Sequence, residues 1–119
     1  MKINLSFDTE HLGDVFASVD WNLPFIPRVG EYLMTSDLPI KIDDTGDDYK
    51  ESYVEYMKST PRGYDVNEDI NKGILQYIEG YSKINSIYYT SEDGEIVPNL
   101  MLCSENQYKE DLIELLNNE

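Results

Sequence analysis

Apolar residues recur every second position from Ile3 through Leu5 to Phe7, with Lys2, Asn4 and Ser6 between them, the period of a strand with one buried face. After a polar stretch from Asp8 to Asp14 the alternation resumes at Val15, Ala17, Val19 and Trp21, so the two runs predict an antiparallel hairpin. Pro24 and Pro27 then interrupt regular pairing, because each fixes φ and lacks an amide proton. Gly30 offers a turn, and Tyr32 to Met34 and Leu38 to Ile42 read as two short strands.

A different pattern follows. Tyr49, Tyr53, Tyr56 and Met57 stand at i, i+4, i+7 and i+8, which predicts a helix over about Asp48 to Lys58 with a tyrosine-rich face and an aspartate cap at Asp47 or Asp48. Residues 65 to 72 carry a weaker helical pattern, with Val66 and Ile70 as the apolar members. Ile74 to Glu79 is a short apolar run ending at Gly80. Ile84 to Thr90 and Ile96 to Cys103 are β-rich and flank Asp93-Gly94, a strong hairpin signal because both central turn positions require positive φ. Pro98 cannot donate to a ladder, which predicts an edge strand or a bulge there and leaves open the pairing of that edge with a second copy. Ser104 with Gln107 fits a capping box, and Tyr108, Leu112, Leu115 and Leu116 form one apolar stripe, so a C-terminal amphipathic helix is predicted over 104–118.

These elements predict one α+β domain over 1–119, mainly β, with five to seven short antiparallel strands in a strongly bent sheet and an inserted segment at 43–72. The stretch Trp21-Asn22-Leu23-Pro24-Phe25-Ile26-Pro27-Arg28-Val29-Gly30-Glu31 resembles the LPxIPRxGE/D motif of a group of small uncharacterised bacterial proteins. In that group a segment similar to Tyr81–Tyr89 precedes a final hairpin, and the resemblance implies an SH3-like barrel without implying an activity. The acidic insertion at 43–72 departs from the short members of the group.

Charge bears on partners more than on fold. Nine basic and 24 acidic side chains give a net charge of −15, with nine acids and four bases in 43–72 alone. Such a field disfavours nucleic-acid phosphates and anionic lipid, and it speeds encounter with basic proteins. The N-terminal residues MKINLSFDTEH lack the apolar core of a signal peptide, and no run of about 18 apolar residues occurs, so a cytoplasmic protein without a membrane segment is expected.

Candidate chemistry is sparse. A single cysteine, Cys103, and a single histidine, His11, exclude an internal disulfide and any site needing two of either residue. His11 lies among acids in a polar loop, and Cys103 ends an apolar strand, where a thiol behaves as a small core residue. Asp43, Asp44, Asp47 and Asp48 offer hard oxygen ligands, but Gly46 falls at the fourth place of that run where a calcium loop needs glycine at the sixth. No metal, cofactor or catalytic residue is expected, and the chain reads as a non-enzyme. The expected role is protein–protein interaction, through Phe25, Ile26 and Arg28 on the proline loop and through Tyr49, Tyr53 and Tyr56. The alternatives are an inhibitor or immunity-type protein, or nucleic-acid mimic, capping a basic partner, and a small-ligand site in the barrel mouth.

Overall fold

The computed structural model describes residues 1–43, 48–61 and 69–118. The first two strands form as their alternation predicts. β1 (Lys2–Thr9) and β2 (Gly13–Asp20) pair antiparallel from Lys2–Asp20 to Thr9–Gly13. Gly13 closes their turn at φ +70°, and the Thr9 hydroxyl donates to the Gly13 carbonyl at 2.7 Å while accepting from the Leu12 amide at 3.0 Å. β3 (Ile40–Ile42) adds to β2. Two helices follow, α1 (Asp48–Lys58) and α2 (Ile70–Ile78), the second capped by Asp69, whose carboxylate accepts from the Asn71 amide at 3.0 Å. β4 (Lys83–Glu92) and β5 (Glu95–Cys103) form the Asp-Gly hairpin, with Asp93 at φ 52° and Gly94 at φ 82° as that turn requires. α3 (Glu105–Asn117) ends the chain.

The sheet order is β3-β2-β1-β5-β4. The result is a small α+β domain with a five-stranded sheet, but the sheet is mixed rather than antiparallel throughout: β1 and β5 run parallel, from Asn4–Asn99 to Phe7–Leu102. This corrects two expectations. β5 is an interior strand, so Pro98 does not mark an edge. It lies just before the first β1–β5 pair, Asn4–Asn99, and opposite Tyr89 on the other side, so neither ladder needs an amide from it. The run Ile74–Glu79 belongs mostly to α2, a reminder that a short apolar run has no period that separates helix from strand.

The bend is real, yet the barrel is not closed. Outside β4, Gly30 and Leu33 donate to Ile84 and Ser82 carbonyls at 2.8 and 2.7 Å, and Ile84 donates to Glu31 at 3.0 Å. From Leu33 the chain reaches β3, at the opposite margin, through a 3₁₀ turn at Thr35–Asp37. That connection extends at most about 20 Å, while a flat sheet would put the two margins about 24 Å apart before any diagonal offset. The sheet must therefore curl, but among the described residues no ladder joins β3 to residues 30–33. Tyr32–Lys83 is a single bridge, so the strand expected at Tyr32 to Met34 shrinks to one pair.

One face of the sheet is the core. Ile3, Leu5, Phe7, Val15, Ala17, Val19, Leu100 and Leu102 pack with Tyr53 of α1 and with Ile74 and Ile78 of α2. The opposite face carries a satisfied polar network. The Asn4 amide donates to Glu92 at 2.7 Å and to Asn99 at 3.0 Å, and Asn99 donates to Thr90 at 2.9 Å. Asn4 and Lys2, in that order, hold the Glu92 carboxyl below its ordinary range.

Candidate interaction site

The proline loop is ordered by bonds that the sequence motif supplies. Trp21, 7% exposed at the end of β2, donates its indole N–H to the Phe25 carbonyl at 2.7 Å and so fixes the loop's first bend. Pro27 is buried and restricts the next step. Glu31 accepts from the Arg28 amide at 2.5 Å and its own amide donates to the Arg28 carbonyl at 3.0 Å, which closes a turn around Gly30. Gly30 adopts φ +89° and sits against Tyr108 of α3, whose hydroxyl would lie 3.1 Å from an added Cβ. Both features favour glycine there. The loop then joins β4 through the bonds already described.

The ordered loop presents a groove of about 490 Å³ lined by Trp21, Phe25, Ile26, Pro27, Arg28 and Tyr32, among others. The structure thus brings together the three loop residues singled out from sequence. Phe25 is 60% exposed, Ile26 is half-buried and packs on the core, and the Arg28 side chain is exposed with its Nε 3.8 Å from Glu31. Trp21 and Tyr32 complete the wall. Neither was singled out for binding, although Trp21 stands beside the motif and its indole needs a partner when buried.

The groove is continuous with the start of α3. The Tyr32 hydroxyl donates to Glu105 at 2.7 Å, and the Lys83 ammonium lies 4.2 Å from the Tyr32 ring centre and 5.0 Å from that of Tyr108. The hydrogen bond from Tyr32, then Lys109, lowers the pKa of Glu105, and the same contact raises that of Tyr32. Ser104 caps the helix by accepting from the Gln107 amide at 3.1 Å. Only half of the predicted capping box forms, because the Gln107 side chain donates forward to Asp111 at 2.9 Å. Beyond Asp111 the helix leaves the body: Leu112, Ile113, Leu115 and Leu116 are all exposed and α3 buries no residue.

The predicted tyrosine face divides. Tyr53 is 2% exposed and its hydroxyl packs on Gly73 of α2, so it belongs to the α1–α2 contact and is closed to a partner in the folded chain. Period 3.6 places Tyr49, Tyr53 and Tyr56 near one another on a helix but does not say which of them faces the core. Tyr56 stacks on His11 with centroids 4.3 Å apart and meets Tyr77 edge-on at 5.5 Å. Tyr77 and Tyr81 share a 3.0 Å hydroxyl contact and accept from the His11 and Glu10 amides. Burial, then the bond to Tyr81, pushes the Tyr77 phenol well above its ordinary pKa. This chain of rings ties α1 and α2 to the β1–β2 turn. The Tyr49 side chain lies outside the described residues.

Of the four candidate metal ligands, Asp43 is exposed, Asp44 and Asp47 lie outside the described residues, and Asp48 is placed only as the first residue of α1. Among the described residues no three His, Cys, Asp or Glu side chains are grouped to hold a metal. Cys103 is buried, and burial, then Asp111 and Asp8, pushes its thiol up to about 11. No described helix is long and apolar enough to cross a membrane. A smaller pocket of about 240 Å³ opens beside the Asn4–Asn99 network, whose polar groups satisfy one another. Comparison with protein-family models, with curated proteins and with solved structures gives no match.

Proposed function

We propose that this protein is a small interaction module that docks another protein in the groove of its proline loop, with Phe25, Ile26 and Arg28 as contact residues. One observation carries the reading: large apolar side chains stand exposed on a segment that six hydrogen bonds from backbone amides and the Trp21 indole hold in place. Rigid apolar anchors lose little entropy on binding, which is how a few residues come to dominate an interface. The groove combines an aromatic wall from Trp21 and Tyr32 with a charged rim at Arg28 and Glu31, the arrangement of an apolar centre within a polar margin. Site-specific photocrosslinking from position 25 tests it. A discrete adduct that disappears with Ile26→Asp, in a variant that keeps its native circular dichroism, supports the groove. Equal labelling from position 25 and from exposed Asp14, at the far end of the sheet, overturns it.

A second reading concerns the partner's charge. The net charge of −15 favours a basic surface, as an inhibitor or immunity-type protein would require. Its signature is binding that weakens steeply with salt, whereas a groove engaged mainly by apolar contact changes little between low and high salt. The bent sheet and the motif's resemblance both support an SH3-like arrangement of this scaffold, in which loops at one end of the sheet carry recognition.

A further inference from the structure

Among the described residues most of one sheet margin is bare. β4 pairs with β5 on both sides of a register shift between Ile84 and Ser86, while among the described residues its outer edge is bonded only at its start, where residues 30–33 bond to Ser82 and Ile84. Pro98 determines which groups face outward along the rest. It has no amide proton, so its pair with Tyr89 is an unbonded pair of the antiparallel ladder. Alternation then makes Tyr88–Asn99 and Thr90–Val97 bonded, and leaves Ile87–Leu100 and Ser91–Ile96 unbonded. The amide and carbonyl groups of Ile87, Tyr89 and Ser91 therefore point out of the sheet. Ile84, brought to the same side by the register shift between it and Ser86, does bond outward, to the loop. Among the described residues no backbone group reaches Ile87, Tyr89 or Ser91.

Exposed edges are ordinarily protected by lysine, proline or an inward charge. Beyond the register shift between Ile84 and Ser86, the stretch from Ser86 to Ser91 contains none of these, in a chain of which 28% is charged. Its composition is instead strongly β-forming, and Tyr88 and Tyr89 are 48% and 59% exposed. We infer that this edge pairs antiparallel with the same edge of a second copy, about a two-fold axis at Tyr89, to give one continuous sheet across the dimer.

Charge selects the occupant. Two chains of net charge −15 can approach most closely where neither carries a carboxylate, and this edge is such a place. In the two-fold register Tyr89 faces Tyr89, Ile87 faces Ser91, Tyr88 faces Thr90 and Ser86 faces Glu92, so no like charges are opposed. The acidic tip at Glu92, Asp93 and Glu95 passes the uncharged span and turns toward the Lys83 end of the other copy. A basic peptide strand would find no carboxylate along this edge before that tip. The three outward residues of each copy supply about six inter-chain backbone bonds, and a two-fold contact closes on itself rather than propagating.

Sedimentation velocity of the full chain from micromolar to near-millimolar concentration, at low and high salt, tests the inference. The expected result is a concentration-dependent dimer that strengthens with salt, because screening removes the repulsion between the acidic bodies. Tyr89→Lys, which opposes two cations at the axis, should weaken it by at least about tenfold, while Leu115→Asp on α3 should leave it unchanged. Hydrogen exchange of the unmodified protein should show the amides of Ile87, Tyr89 and Ser91 slowing as concentration rises, a readout that does not depend on any variant folding. A monomer under all conditions, a dimer indifferent to Tyr89→Lys in a folded variant, or protection of those amides independent of concentration would overturn the inference.

Discussion

α2 and α3 are built alike and placed oppositely. Both are amphipathic, and both are capped at their first turn by a side chain accepting from a backbone amide. α2 buries Gly73, Ile74 and Ile78, the isoleucines completely, whereas α3 buries nothing and exposes Leu115 by 63% and Leu116 by 59%. The difference lies in what each helix meets. α2 crosses α1 at Gly73 and lies on the apolar face of the sheet, while α3 is held at its first two turns by Glu105 and Tyr108 and then projects past the sheet. An apolar stripe therefore specifies that something favours covering it and leaves the cover unspecified.

Mutating the two stripes gives the largest contrast. Ile78→Ala should lose about 2–5 kcal/mol of unfolding free energy, since a fully buried isoleucine takes transfer and cavity terms together. Leu115→Ala should change stability by no more than about 0.5 kcal/mol in the isolated chain, measured by urea unfolding of both variants. A loss at Leu115 comparable to that at Ile78 would mean that α3 packs in solution on a surface the fold leaves uncovered.

The contact that seats α2 can be broken from either side. Gly73→Ala forces a methyl group into the Tyr53 hydroxyl and should destabilise by about 1–3 kcal/mol, although alanine normally strengthens a helix. Tyr53→Phe removes the nearest obstructing atom but leaves the ring carbon Cζ 2.6 Å from the added Cβ, so the double variant should recover only part of that loss. Such non-additivity in a double-mutant cycle reports direct contact. Additive losses would show that the helices separate enough to accommodate the methyl group.

How far the sequence could reveal this fold depends on whether each feature is local. The alternation at Ile3, Leu5 and Phe7 and the Asp93-Gly94 turn are set by neighbouring residues, and both elements formed where the pattern put them. The parallel β1–β5 pairing joins residues more than 90 positions apart and has no local signature, which is why an antiparallel sheet was the natural expectation. Pro98 points to a missing donor on its strand but not to which neighbour goes without it. At the candidate site, Phe25, Ile26 and Arg28 could be read from a motif whose prolines and glycine fix the backbone. The part played by Trp21, Tyr32 and Tyr108 depends on which strand the loop docks against. Tyr53 was legible as an apolar-face residue of a helix, and only packing against Gly73 decided that it faces inward.

The two caps offer a finer test of the same contrast. Asp69→Ala and Ser104→Ala each remove one hydrogen bond at a helix start, a change of about 0.5–2 kcal/mol in either helix. Because α2 is part of the core, the loss at Asp69 should appear in global unfolding. The loss at Ser104 should appear mainly as faster amide exchange in α3, with the global midpoint nearly unmoved. Equal shifts in global midpoint would join α3 to the cooperative core.

The smallest expected effect belongs to Cys103, at the junction of β5 and α3. Its thiol titrates near 11 in the fold, above the ordinary value of about 8.5 for an exposed cysteine, because burial penalises the thiolate. The folded state thus holds the proton more tightly than the unfolded chain. This contribution to stability is fully present below about pH 8.5 and is lost as pH rises toward the folded value. Cys103→Ala should flatten the decline in thermal midpoint between pH 8.5 and 11 without abolishing it, since other groups titrate there as well. Thiol modification at pH 8 should be slow and should accelerate with urea concentration in step with unfolding. Fast modification of the native protein at that pH would show that the β5–α3 junction opens well below the cost of global unfolding, and would move Cys103 from the cooperative core to the mobile side of the contrast that α3 represents.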